Sequence, residues 1–239
     1  MTEAEILEQV RQMRERGSAP KQIARALGLR PAQVAPLIRQ VSEASQAQAD
    51  PADRALLGCW ISPGWSVGLG LEGEAVQWGA ADPLRTEEQV TTGGLAQALI
   101  VRRERASRVT VCGFLVDTYC LGVKACTGPE TMAAGSVDDY RRSFFEAFDA
   151  PEVPAPLELV QHLVHGGVAY ARGLGFEPRD DDFETVRPYL GTPEGPTPIT
   201  FGRDGQPFFF AGPHDDHRAV RATLDSTVGA GNYHFLAPA

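Results

Sequence analysis

The sequence predicts an α+β protein in which a small three-helix unit precedes a larger mixed domain. The first 45 residues show helical periodicity only, whereas strand-like and helix-like segments are mixed from about residue 53 onward. Those segments do not follow the strict strand–helix–strand alternation of a parallel α/β fold. With 239 residues, the chain is long enough for one large and one small domain. We therefore predict a helical unit at 1–42, a polar linker at 43–52 and an acidic domain at 53–239.

Three helices are predicted in the first unit. The first covers residues 4–16 and ends at Gly17. The second is expected to be capped by Ser18, with Pro20 in its first turn. Gly28 supplies the tight turn after it, and the third helix starts about three residues later. The apolar residues that recur at helical spacing, and that we expect to be buried, are Ile6, Val10, Met13, Ile23, Ala24, Leu27, Leu29, Val34, Leu37 and Ile38.

The two predicted parts are joined by a polar segment and differ in charge. Residues 42–51 contain no large apolar residue, which is typical of a linker or of a polar extension of the third helix. Residues 1–45 carry seven Lys or Arg against five Glu, a net charge of +2. Subtraction from the whole chain leaves 15 basic and 26 acidic residues, a net charge of −11. A phosphate backbone repels so acidic a body, so we expect any contact with nucleic acid to be confined to the first unit.

Residues 4–41 resemble the helix-turn-helix of resolvases and of region 4 of sigma factors. The resemblance covers less than a fifth of the chain. It implies that residues 31–40 form a recognition helix that enters the major groove of DNA. One such unit is too small to bind tightly alone, so a two-fold dimer that contacts two half-sites is implied. The residues that carry the resemblance are Ile23, Ala24, Leu27, Gly28, Leu29, Val34 and Ile38.

The exposed residues of this motif are the candidates for contacts with DNA. Pro36 inside the recognition helix departs from the family's pattern and is expected to bias Ala35 away from helical geometry. The structural alternative is a three-helix unit that serves for dimerisation or for docking a partner protein. The phosphate candidates are Lys21, Arg25 and Arg30, and the base-edge candidates are Gln33, Arg39 and Gln40.

The larger domain is predicted to combine hairpins, helices and one well-defined buried strand. A hairpin is expected where residues 65–71 and 75–78 flank a glycine-containing turn, and a second one at 199–211. Residues 108–116 form the clearest buried strand, because they are a continuous apolar run. The remaining predictions are helices at 95–104, 137–148, 156–174 and 214–228, and a last strand at 232–236.

Four of the five histidines fall in two His-x-x-His pairs, His162/His165 and His214/His217. Residues three apart on a helix share a face, which is the arrangement that a metal ion needs. If both pairs meet in space, they can hold zinc or another divalent metal. The structural alternative places the first pair at the edge of the core and the second in a helix cap. We predict no cofactor, with a divalent metal as the alternative.

A second cluster of reactive residues follows the buried strand. Asp117, Cys120 and Lys124 are spaced to share one helical face, and Lys124 would then lower the pKa of the Cys120 thiol and make it a nucleophile. The alternatives are that Cys120 is a small buried hydrophobe and that Asp117 caps the following helix. A ligand site at this strand end is the interpretation that we prefer. The four cysteines are expected to be reduced.

Gly68, Gly70 and Gly73 match the dinucleotide-binding pattern G-x-G-x-x-G by letter only. We expect no helix after Gly73, and Glu72 and Glu74 would repel a pyrophosphate, so we reject a nucleotide cofactor here. Neither a Walker A sequence nor a Gly-x-Ser-x-Gly elbow is present.

These observations together predict a DNA-binding transcriptional regulator whose second domain dimerises or senses a small ligand. The absence of a long apolar run and of a signal peptide predicts a cytoplasmic protein without membrane partners. One alternative is a metal-dependent or cysteine hydrolase whose first 45 residues are a docking module. The other is a non-catalytic protein-interaction module.

Overall fold

The computed structural model describes residues 2–48, 50–85, 94–148 and 150–237. The chain divides into two compact units, Met1–Asp53 and Arg54–Ala239. The described part of the first unit is helical, and the second contains a five-stranded sheet together with helices. The α+β prediction is therefore confirmed.

Three helices build the first unit: α1 (Glu3–Glu15), α2 (Pro20–Leu27) and α3 (Pro31–Gln48). A single 3-10 turn, Pro51–Asp53, follows them. All three predicted helices are present, and α3 extends into the polar segment after residue 42. The shared core contains Val10, Ile23, Ala24, Val34 and Val41, with Ile6, Leu7, Met13, Leu27, Leu29, Leu37 and Ile38 packed around them.

The start of α2 differs from the prediction, because Ala19 and not Ser18 is the N-cap. The Oε1 atom of Gln22 accepts a hydrogen bond from the backbone N–H of Ala19 at 2.8 Å. Ser18 instead donates its backbone N–H to the carbonyl oxygen of Met13 at 2.9 Å. This bond closes the end of α1, where Gly17 takes the left-handed conformation with φ +78°.

α3 is one continuous helix although Pro36 lies inside it. The expectation that Pro36 disturbs the geometry of Ala35 is wrong. Pro36 has no N–H to donate to the carbonyl oxygen of Ala32. Ala32, Ala35 and Pro36 are all exposed, so the missing bond lies on the solvent side, where water can satisfy the carbonyl. Val34 and Val41 are buried on the opposite side and hold the helix against the core.

The second unit combines strands and helices of very different length. Within the described residues, the strands are β1 (Leu56–Ile61), β2 (Gly70–Leu71), β3 (Leu95–Arg105), β4 (Arg108–Asp117), β5 (Gly122–Ala133), β6 (Val153–Pro154), β7 (Ile199–Thr200), β8 (Phe208–Phe210) and β9 (His234–Leu236). The helices are α4 (Ala75–Ala80), α5 (Val137–Phe144), α6 (Leu157–Gly173), α7 (Phe183–Leu190) and α8 (His217–Thr227). No helix in the described ranges is long and apolar enough to cross a bilayer.

The main sheet is antiparallel and has the strand order β5-β4-β3-β1-β6. Side chains of its central strands alternate between two cores. Ala98, Ile100 and Phe114 face the core formed with α6 and α7. Leu99 and Val111 belong to the other core, which includes aromatic side chains of α5. The sheet is therefore a central layer with helices on both faces.

Strand β3 replaces the helix predicted at 95–104. The segment contains several good helix formers, but Ala96, Ala98, Leu99, Ile100 and Val101 are all buried. Pairing with β1 on one side and β4 on the other places these residues between both cores. The burial of two faces overrides the intrinsic preference of the segment for helix.

The hairpin predicted at 65–78 is also absent. β2 has only two residues, and α4 begins at Ala75. The segment is instead bonded to Asp82, a buried carboxylate 16 to 18 residues after its partners. Asp82 accepts hydrogen bonds from the backbone N–H of Gly64 at 2.7 Å, the backbone N–H of Ser66 at 3.0 Å and the Ser66 hydroxyl at 2.7 Å. These bonds fold the segment into a loop instead of a strand.

The second predicted hairpin, at 199–211, is also absent, because its two segments pair with other strands. β7 pairs with β2, and β8 pairs in parallel with β9, so the partners are distant in sequence. The buried strand at 108–116 is confirmed as β4, and the last strand as β9. The later helices are confirmed, with ends that differ by a few residues, as α5, α6 and α8.

Candidate functional site

The surface of α2 and α3 carries the three phosphate candidates, Lys21, Arg25 and Arg30, and one basic base-edge candidate, Arg39. Lys21 and Arg25 are four residues apart and exposed, so they share one face of α2. Arg30 immediately precedes α3 and Arg39 lies in its middle, and both are exposed. Among the residues that the structure describes, none of these four side chains has an ion-pair or hydrogen-bond partner. Their positive charges are therefore not paired with a carboxylate within the described structure.

Arg11 on α1 differs from these four basic residues. Its Nη2 and Nε atoms lie 2.9 Å and 3.0 Å from the two carboxylate oxygens of Glu8. This bidentate pair places a carboxylate next to the guanidinium of Arg11, which none of the four residues above has. Of the described basic side chains in the first unit that have no ion-pair or hydrogen-bond partner, four lie on the segment from α2 through the turn to α3, and Arg16 lies just after α1. Arg11 is the paired residue used for comparison.

The base-edge candidates are exposed, and one of them also has a structural role. The Oε1 atom of Gln33 accepts a hydrogen bond from the backbone N–H of Arg30 at 3.0 Å and so caps α3. The amide nitrogen of Gln33 is left as a donor. Gln40 lies seven residues later on the same face as Gln33, and Arg39 lies beside it. The exposed surface of α3 therefore offers few polar groups for contacts with bases.

The cluster of Asp117, Cys120 and Lys124 does not share a helical face, because β4 ends at Asp117 and β5 begins at Gly122. Asp117 accepts backbone hydrogen bonds from Tyr119 and Cys120, both at 3.0 Å, so it shapes a turn and caps no helix. Burial raises the pKa of the Cys120 thiol above its ordinary range, and the charge of Asp117 acts in the same direction. Both effects oppose the activation that a nucleophilic cysteine requires.

Lys124 contacts a different carboxylate, Asp215, which the sequence placed only in a helix cap. The Asp215 side chain is 2% exposed and lies 2.9 Å from Lys124 Nζ and 2.5 Å from Arg179 Nη1. It also accepts the backbone N–H of Gly212 at 2.9 Å. Burial raises the pKa of Asp215, but these hydrogen bonds and positive charges outweigh it and hold the pKa below its ordinary value. The cluster ties β5 to the loops before α7 and α8.

His162 and His165 lie on α6 and make separate contacts. His162 is buried, and its ring stacks on Trp78 with the centroids 6.0 Å apart. Its Nδ1 atom has no hydrogen-bond partner among the described residues. The Nε2 atom of His165 lies 2.7 Å from the carbonyl oxygen of Gly191, just after α7. These two histidines therefore serve the packing of α6.

His214 and His217 lie in the loop before α8 and at its first residue. The cap of that helix is Asp216, which accepts the backbone N–H groups of Arg218 at 3.1 Å and Ala219 at 3.0 Å. Over the described ranges, no group of three or more His, Cys, Asp or Glu is arranged to hold a metal ion. The four histidines predicted as ligands do not assemble into one site.

The glycine pattern at 68–73 is explained by turn geometry and packing. Contrary to the expectation, a helix does follow Gly73: α4 begins at Ala75, although it has only six residues. Gly73 has φ +53°, a conformation that favours glycine. Gly68 lies against Tyr119, whose hydroxyl oxygen would be 2.6 Å from an added Cβ.

Two cavities in the second unit could not be predicted from sequence motifs. Their walls come from segments that meet only in the folded chain. A cavity of about 120 Å³ is lined mainly by apolar groups and includes Trp65 and Trp78. A larger cavity of about 500 Å³ lies between α6 and α7. The polar residues that line the larger cavity are His165, Arg172, Glu184 and Arg187.

No protein-family model, no curated protein and no solved structure matches the chain. Function is therefore inferred from the geometry and chemistry of the chain's own residues.

Proposed function

We propose that the first unit binds double-stranded DNA and that the protein is a transcriptional regulator, acting as a dimer. A single observation carries the proposal. Four basic side chains on the segment from α2 to α3 are exposed and unpaired, whereas Arg11 on α1 is paired with Glu8. The four side chains are Lys21, Arg25, Arg30 and Arg39.

Phosphate contacts supply the binding free energy. Each Lys or Arg that neutralises a phosphate releases condensed counterions, so the affinity depends on the number of such contacts and on salt. Lys21 and Arg25 on α2, with Arg30 at the start of α3, provide positive charge on both sides of the Gly28 turn. The first turn of α3 adds the positive end of its helix dipole next to Arg30.

Base contacts come from α3. In helix-turn-helix proteins, the N-terminal part of the second helix contacts base edges in the major groove. Gln33 lies in this N-terminal part, and Arg39 and Gln40, in the middle of the helix, are the other exposed polar candidates. An Arg that donates two hydrogen bonds to guanine, and a Gln that contacts adenine, are the matching chemistry.

The charge of the second unit restricts the interaction to the first. Residues 54–239 hold 15 Lys or Arg and 24 Asp or Glu, a net charge of −9. This body is repelled by phosphate, so the contact area per chain is small. Dimerisation doubles the number of phosphate contacts and compensates for that small area.

Matched charge variants of the full-length chain test the proposal. Fluorescence anisotropy with mixed genomic DNA fragments compares Arg25→Gln, Arg39→Gln and the control Arg11→Gln, each of which removes one positive charge. We expect Arg25→Gln, which removes a phosphate contact, to weaken binding and to reduce the salt slope by about 1, and Arg39→Gln, which removes a base contact, to weaken binding without that change in slope. Arg11→Gln should bind as the wild type does. Equal reductions in affinity in all three variants would show that net charge, not this surface, determines binding.

A further inference from the structure

We propose that the cavity between α6 and α7 binds a small organic anion, namely a carboxylate on an apolar body. The proposal goes beyond DNA binding and uses none of the residues of the first unit. Its basis is the spacing of the lining residues, the fixed position of the two helices, and the sign of the charges around the cavity.

One face of each helix forms the cavity wall. On α6 the lining residues follow at intervals of three, four and seven, and on α7 Arg187 follows three residues after Glu184 and four after Phe183, which are the spacings of a helix face. The volume of about 500 Å³ matches small-molecule sites, which range over roughly 300–1,000 Å³. The apolar lining residues are Val168, Ala169 and Phe183.

The two helices are fixed to each other at the end of α7. Gln161 Nε2 donates to the carbonyl oxygen of Leu190 at 2.9 Å, and His165 Nε2 lies 2.7 Å from that of Gly191. Both side chains project from α6 and satisfy carbonyl groups that the end of a helix leaves without partners. Phe183 is buried in the core next to the cavity. The walls are therefore in place before a ligand arrives, which lowers the entropy cost of binding.

Two arginines reach the cavity from its two helices, and each is paired with a glutamate. Arg172 from α6 and Arg187 from α7 line it, against one carboxylate, Glu184. Arg187 pairs with Glu184 at 2.8 Å, and Arg172 pairs with Glu177 at 2.8 Å. These side chains are 45% to 71% exposed, so the pairs contribute little and are easily exchanged. A ligand carboxylate between the guanidinium groups forms charge-assisted hydrogen bonds with both helices.

The remaining lining selects an apolar body behind the carboxylate. Val168, Ala169 and Phe183 contribute aliphatic and aromatic atoms to the lining. An anion without an apolar part leaves these apolar side chains in contact with water. A neutral apolar molecule makes no new charged hydrogen bond with the guanidinium groups. Both parts are required for binding.

Ligand titrations of the full-length, nitrogen-15-labelled protein by NMR test this site. The probe is benzoate, and the controls are benzamide, which lacks the charge, and acetate, which lacks the ring. We expect benzoate to shift the Nε–H signals of Arg172 and Arg187 and the amide signals of α6 and α7. Each control should bind at least about tenfold more weakly, because it lacks either the charged hydrogen bonds or the apolar contact.

Variants of the two arginines separate this site from unspecific anion binding. Arg172→Gln and Arg187→Gln should each weaken benzoate binding at least about tenfold. The matched control is Arg142→Gln, which removes an exposed arginine paired with Asp139 on α5 and should leave binding unchanged. An absent benzoate response, equal binding of benzamide, or unchanged binding in both cavity variants would overturn the proposal. Each outcome is independent of DNA binding, which is measured separately.

Discussion

Asp117 at the end of β4 is a single residue on which burial and hydrogen bonding act with opposite sign. Burial raises its pKa to about 6, although the charge of Lys124 and the backbone N–H groups of Tyr119 and Cys120 lower it. A carboxyl whose folded pKa lies above its ordinary value of 3.8 binds its proton more tightly in the folded state. Its stabilising contribution is therefore complete below about pH 4 and is lost as the pH rises through 6.

The variant Asp117→Asn tests this balance. Asn keeps the side-chain oxygen that accepts from Tyr119 and Cys120 but carries no charge. We expect its stability relative to the wild type to increase by up to about 3 kcal/mol between pH 4 and pH 7, because only the wild type has to bury a carboxylate. Urea unfolding at several pH values measures this difference. A difference that is independent of pH would refute the assignment.

Asp215 behaves in the opposite way, because two cations face it. Its pKa lies below the ordinary value, since the hydrogen bond from the backbone N–H of Gly212, the hydrogen bond from Lys124 and the charges of Lys124 and Arg179 together outweigh burial. Its contribution to stability is present above the ordinary carboxyl pKa of about 4 and is lost as the pH falls through the folded pKa.

Removal of the Asp215 carboxylate should therefore destabilise the second unit. In Asp215→Ala, Lys124 and Arg179 lose their common anion, and Lys124 is only 16% exposed. We expect a loss of about 2–3 kcal/mol at pH 7, less than for a fully buried pair because Arg179 is 33% exposed. Asp139→Ala, which removes an exposed partner of Arg142, should leave stability unchanged. Equal effects in the two variants would show that the buried cluster contributes nothing specific.

Among the elements, α6 owes its position to glycines that allow close contact. Gly122, the first residue of β5, has φ +66°, and an added Cβ would lie 2.8 Å from the carbonyl oxygen of Gly167. Gly167 packs against Val116, whose Cγ1 atom would lie 2.9 Å from a Cβ added at Gly167. The helix that carries one wall of the cavity is thereby held against the sheet.

Substitution at this contact should cost stability where a substitution elsewhere on α6 does not. Gly122→Ala combines an unfavourable positive φ with a backbone clash, so we expect a loss of about 1–3 kcal/mol. Gly173→Ala, at a position with nothing within 4 Å, should be neutral or stabilising by up to about 1 kcal/mol. Denaturant unfolding compares the two. Two variants of equal stability would contradict the close packing of α6.

Elements with a local signal were predictable from the sequence, and elements defined by distant partners were not. The three N-terminal helices, β4 and α6 show their periodicity or apolar character within their own residues. β3 and the loop closed by Asp82 depend on pairing and hydrogen bonding across the chain. The same distinction holds for sites. The exposed Lys21, Arg25, Arg30 and Arg39 follow from helical spacing, whereas the Asp215 cluster and the cavity between α6 and α7 require the folded structure.

For the whole molecule, the distribution of charge is the property that connects sequence with the proposed function. The first unit carries exposed, unpaired basic residues on α2, on α3 and in the turn between them, and the second unit has a net charge of −9. A protein that binds DNA through so small a surface should lose affinity steeply with salt, because counterion release supplies most of the free energy.

The most direct test of DNA binding is a salt series with the full-length chain and mixed genomic DNA fragments, followed by fluorescence anisotropy. Three phosphate contacts per chain, from Lys21, Arg25 and Arg30, predict a slope of log affinity against log salt of about −3, and about twice that for a dimer. Binding at low salt with such a slope is the result that the proposal predicts. No binding at low salt, or binding that does not change with salt, would contradict it.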